Sequence, residues 1–183
     1  MGYNTDFVGK FTLDKPLTTE QARFLMLFNE TRRMKRNPKL VGKDPVREAA
    51  MIPIGIDGGN FVGGTGFGGQ DHDKSVIDDN GHPDNQPSLW CQWTPGNKYG
   101  KRYGYDHLFL SDDSDEEKVH TIVWDAGEKF YYYVEWIKYI IENFLKPWGR
   151  ILNGSVEYRG ESFGDHGYIN VKDNVVSNDN TSQ

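Results

Sequence analysis

The stretch DAGEKFYYYVEWIKYIIENFLKPWG, residues 125–149, decides how the chain is read, because it carries the longest helical repeat. Phe130, Val134, Ile137, Ile141 and Phe144 recur at i, i+4, i+7 spacing and form one apolar stripe, with Glu135, Lys138 and Glu142 on the other side. Pro147 and Gly149 stop the helix, the first by lacking a backbone donor, the second by favouring a left-handed exit. Asp125 and Glu128 have the D-x-x-E spacing of a capping box, in which Asp125 accepts from a first-turn N–H and Glu128 complements the dipole. The same two carboxylates have the composition of a catalytic pair; capping is the preferred reading. Tyr131, Tyr132, Trp136 and Trp148 spread aromatic surface beyond a single stripe. Either that second face lies under a long loop, which is favoured, or it is an exposed partner surface.

Working outward, HTIVWD (120–125) and SLWCQW (88–93) read as strands, the latter with Leu89, Cys91 and Trp93 on one side and Trp90 and Gln92 on the other. GSVEYRG (154–160) and GYINVKD (167–173) read as a hairpin with Val156, Tyr158, Ile169 and Val171 facing the core. From Ser177 the chain is polar and is expected to fray. Near the start, FVGKFTL (7–13) reads as a strand. In LTTEQARFLMLFNETRRM (17–34), Thr18 and Gln21 form a capping box ahead of Phe24, Leu25 and Phe28 at helical spacing.

The order β-α-β-β-α-β-β points to an α+β fold: an antiparallel sheet of about five strands with two helices packed on one face. One domain is expected over 1–176, with a long irregular Gly/Asp-rich central loop, an inserted loop at about 96–120 and a flexible tail at 177–183. The insertion has a basic aromatic half, NKYGKRYGYDH, and an acidic half, SDDSDEE, which reads as a solvated run.

The chain has 183 residues, and its 14% aromatic content compensates for an apolar share of 36% in building a core. A net charge of −6 disfavours a whole-surface grip on nucleic acid or anionic membrane. No run is apolar enough to span a bilayer, and the opening MGYNTDFVGKF has no signal-like core. A single cysteine excludes an intramolecular disulfide, so a cytoplasmic setting is expected.

MGYNTDF at the start, ETRRMKR after the first helix, QPSLWCQW, WDAGEKFY and the closing VKDN together resemble a family of uncharacterised bacteriophage and bacterial proteins, a domain of unknown function. The resemblance spans nearly the whole chain but implies no catalytic residue and no cofactor. It places glycine where this chain has Ala126.

Candidate chemistry is sparse. Cys91 has no adjacent histidine in sequence and reads as a small buried residue rather than a nucleophile. Asp71, Asp73, Asp78 and Asp79 offer hard oxygen ligands for a divalent cation and a metal-dependent hydrolase or nuclease, though Asp, Asn and Gly are also ordinary turn formers. Arg32, Arg33 and Arg36, with Gln70, Trp90 and Gln92, form the ligand-binding set for a small anion such as a nucleotide. For the arginines, the dipole at the end of the helix is the structural alternative. No Walker, H-E-x-x-H or C-x-x-C signature occurs. The leading expectation is a non-catalytic protein that contacts a host or viral macromolecule, with a protein partner. Anion sequestration and metal-dependent hydrolysis follow it.

Overall fold

The computed structural model describes residues 2–63, 73–103 and 118–180. In chain order the elements are β1 (Thr5–Leu13), α1 (Thr19–Glu30), β2 (Lys35–Arg36), α2 (Pro45–Ala49), β3 (Val76–Asp78), β4 (Trp93–Gly96), β5 (Thr121–Trp124), α3 (Tyr133–Ile140), β6 (Leu152–Gly160), β7 (His166–Lys172) and β8 (Val175–Asn180). They fall into two compact units, one of Met1–Leu17 with Gln92–Gln183 and one of Thr18–Cys91, where the sequence suggests a single domain over 1–176. The α+β class holds.

The first unit is a six-stranded sheet in the order β4-β5-β1-β6-β7-β8, every neighbouring pair antiparallel. On β1, Phe7, Phe11 and Leu13 are buried, whereas Asp6, Val8, Lys10 and Thr12 are exposed, the alternation of a strand with one solvated face. The β6–β7 register sets Val156 opposite Ile169 and Tyr158 opposite Gly167. Val156, Tyr158, Ile169 and Val171 are all buried, as their alternation suggests. Close approach of β1 to β6 needs Gly154, at φ +143°, where a Cβ would lie 2.7 Å from the Lys10 carbonyl oxygen.

α3 approaches both β4 and β8, the two edges of this sheet. Five strand spacings of about 4.8 Å would make a flat sheet ~24 Å wide. The eight residues of α3 span only about 12 Å, so the sheet curls around the helix. Inside the curl Phe7 is the hub: its ring centroid lies 5.5 Å from Trp93, 5.3 Å from Trp124, 5.7 Å from Phe130 and 4.8 Å from Tyr133, all edge-to-face. The Trp93 indole N–H donates to the Tyr133 carbonyl at 2.9 Å, so the cluster also satisfies its buried polar atom. Beyond α3 the helix widens into a π turn over Ile141–Leu145, which keeps Ile141, Phe144 and Leu145 all buried.

Three expectations for this unit are corrected. α3 begins at Tyr133, eight residues after Asp125, so Asp125 and Glu128 are not its capping box; Asp125 Oδ1 instead accepts the Gly127 N–H at 2.7 Å. Val175–Asn180 is the edge strand β8 rather than the start of a frayed tail. Asp173 and Asn174 sit at φ +48° and +68°, the two left-handed positions of a tight hairpin turn between Lys172 and Val175. Asn174 then pairs with Leu152, its Oδ1 accepting the Leu152 N–H at 2.7 Å and its own N–H donating to the Leu152 carbonyl at 3.1 Å. Finally, the strand expected over 88–93 begins only at Trp93.

In the second unit, α1 has the expected capping box: Thr18 Oγ1 accepts the Gln21 N–H, and Gln21 Oε1 accepts the Thr18 N–H. Ala22, Phe24, Leu25, Met26 and Phe28 are its buried apolar residues, and α1 approaches α2. β2 and β3 form a short antiparallel ribbon. Much of the remaining described chain is irregular. No helix among the described residues is long and apolar enough to cross a membrane.

Phe7→Ala removes the hub of four ring contacts and is expected to cost about 3–5 kcal/mol in urea unfolding. Val8→Ala, on the solvated face, is expected to stay within about 0.5 kcal/mol.

Candidate functional site

A buried irregular segment must find partners for its carbonyl groups outside a ladder. Arg33 supplies them. It is 2% exposed, and its Nε, Nη1 and Nη2 each donate at 2.9 Å, to the carbonyls of Thr31, Gly59 and Phe61. Its guanidinium lies 4.1 Å from the Phe28 ring centroid. Arg32 Nε donates to the Asp79 carbonyl at 2.9 Å and its Nη2 to Asn80 Oδ1 at 3.0 Å. Two of the three arginines of the expected anion set, Arg32 and Arg33, thus have protein oxygens as acceptors.

Arg36 differs. At 1% exposed, it places Nη1 3.0 Å from Asp73 Oδ2 and 2.9 Å from Ser75 Oγ, with its guanidinium 4.1 Å from the Phe61 ring centroid. Asp73 Oδ1 accepts the Ser75 N–H at 2.7 Å and the Ser75 hydroxyl at 2.5 Å. Burial pushes the Asp73 carboxyl up, but the Ser75 donors and the Arg36 cation outweigh it and hold the group below its usual value. Nearby in the same unit, Asp44 Oδ2 accepts from Arg47 Nε at 2.9 Å and from the Val62 N–H at 3.2 Å. Burial still raises the Asp44 carboxyl above its usual value.

Asp78 Oδ1 accepts the Asn80 N–H at 2.9 Å, and among the described residues no three acidic, histidine or cysteine side chains gather as a metal would require. Gln70 and Asp71 lie outside the described residues, as does the acidic run at 111–117. Cys91 is fully buried, and its carbonyl accepts from Asn29 Nδ2 at 3.0 Å. Trp90 is half-buried. Gln92 belongs to the first unit, where it accepts from the Trp124 indole at 3.2 Å and donates to the Glu128 carbonyl at 2.7 Å.

Sequence reasoning misses a different region, one end of the first unit. Between Trp124 and α3, Ala126, Lys129 and Tyr132 have φ of +64°, +58° and +56°. Three non-glycine residues in left-handed conformation break any helical run, which is why α3 starts late. The folded-back segment exposes Tyr131 by 43% and Tyr132 by 59%. It is laced to the β6–β7 loop by the chain start. The Tyr3 N–H donates to Tyr131 Oη at 3.1 Å, the Lys129 N–H to Asn4 Oδ1 at 3.1 Å, and the Asn4 N–H to Glu161 Oε1 at 2.8 Å. The Tyr3 hydroxyl donates to Asp165 and accepts the Ser162 N–H at 3.0 Å. On that loop Phe163 is fully exposed, at 109%. Tyr133 is pushed up to about 12 by burial first, with Tyr158 and Asp165 adding. The one sequence signal for this end was the aromatic excess around residues 131 and 132.

Ala126 is exposed and left-handed, at φ +64°. Ala126→Gly is therefore expected to stabilise the fold by roughly 1 kcal/mol, read as a rise in melting temperature. No family model, no curated protein and no solved structure matches this chain.

Proposed function

We propose that the chain is a non-catalytic binding protein that contacts a protein of host or viral origin through the aromatic end of the first unit. Phe163 carries this reading: an entirely solvated ring on a loop whose backbone is held by Gly160 N–H to Asp165 carbonyl at 2.7 Å and Asp165 N–H to Ser162 carbonyl at 3.0 Å. Tyr131 and Tyr132 extend the same end through Tyr3, which bonds to both segments. Exposed aromatics on a tied backbone lose little conformational entropy on docking, and such residues dominate the centres of protein interfaces. Burying a phenylalanine ring that starts fully in water contributes about 1.5–3 kcal/mol. The host or viral setting rests on the resemblance to uncharacterised phage proteins.

Wild-type chain and the double variant Tyr132→Ser/Phe163→Ser, compared at matched melting temperature, are immobilised and exposed to the same host lysate. A stoichiometric protein retained by the wild type is expected to drop at least tenfold on the double variant. Equal retention by both would remove this surface as the contact.

A further inference from the structure

The geometry points to Arg36 as an oxyanion-binding residue of the second unit, with Asp73 as a built-in placeholder that an incoming carboxylate or phosphate displaces. An arginine normally meets a carboxylate through two parallel N–H···O bonds. Here only Nη1 meets Asp73, at 3.0 Å, while Nη2 is buried with no hydrogen-bond partner. The second oxygen of Asp73 is turned away to the Ser75 amide and hydroxyl, so the pair cannot become bidentate while the turn at Asp73–Ser75 stands.

The two partners differ in how firmly they are set. The Arg36 side chain is 2% exposed and packed over the Phe61 ring, whereas the Asp73 side chain is 52% exposed. The guanidinium is the fixed half and the carboxylate the half that reaches in from solvent. A ligand oxyanion that takes both Nη1 and Nη2 gains the bond that Asp73 leaves unmade, and the departing side chain makes room for it. Ser75 Oγ, 2.9 Å from Nη1, is placed to donate to the same oxyanion once Asp73 no longer accepts its proton. Lys74, next in sequence to Asp73, is exposed. This site is independent of the aromatic end and requires no protein partner.

The test is titration calorimetry of the whole chain with inorganic phosphate and, separately, acetate, on wild type, Asp73→Ala and Asp73→Ala/Arg36→Lys. Asp73→Ala is expected to bind at least one of the two anions tenfold or more tighter than wild type. The lysine, which lacks the planar fork, is expected to abolish the gain. A gain with phosphate alone assigns a phosphorylated ligand, and a gain with acetate alone assigns a carboxylate. No gain with either anion, or a gain that survives Arg36→Lys, overturns the proposal. Should Asp73→Ala or the double variant not fold, the Arg36 side-chain nitrogen resonances of the wild type are followed at saturating phosphate and at saturating acetate. A shift of Nη2 with either supports the site, and unchanged resonances with both overturn it.

Discussion

The aromatic hub at Phe7 is the constraint on which the first unit depends. Its ring meets Trp93 on β4, Trp124 on β5, Phe130 ahead of α3 and Tyr133 in its first turn. One side chain on the central strand therefore ties an edge strand, its neighbour and the helix to a common point. Edge-to-face rings contribute about 0.5–1.5 kcal/mol each beyond their buried area. The sheet curls around α3 with this aromatic cluster at its centre. The same packing fixes where Phe130 ends and where Tyr133 begins. The two residues between them, Tyr131 and Tyr132, are left outside the core.

The second unit uses another device. With only a two-stranded ribbon and short helices, its chain between α2 and Cys91 has few ladder bonds, and buried guanidinium groups take the place of the ladder. Arg33 satisfies three carbonyls at once, two of them more than 25 residues away in sequence. A lysine at that position has the charge but not the planar fork that reaches three acceptors. Arg36 is built in the same manner, over an aromatic ring, yet only one of its terminal nitrogens is hydrogen-bonded. The contrast between neighbouring arginines, one fully engaged and one half engaged, separates a structural staple from a candidate binding group.

Locally encoded features were legible in the sequence. The β6–β7 hairpin follows from alternation, the start of α1 from Thr18 and Gln21, and the outward face of α3 from Glu135 and Lys138. Features set at long range were not. The reach of Arg33 to Gly59 leaves no local pattern, so TRRMKR read as a dipole-compensating cluster and as an anion grip. β8 was hidden because VVSNDN is polar, although Asp173 and Asn174 carry the chemistry of a hairpin turn. The left-handed residues at 126, 129 and 132 were missed because D-x-x-E before an apolar stripe is also the mark of a helix start.

The proposed contact surface joins 126–132, positioned by the hub at Phe130 and Tyr133, to 161–165, tied to it through Tyr3 and Asn4. Hydrogen exchange of the wild-type chain, alone and saturated with the protein it retains, tests this most directly. Slowed exchange concentrated at 126–132 and 161–165 is the predicted result. Protection confined to the second unit, or to the β8 edge, would contradict it.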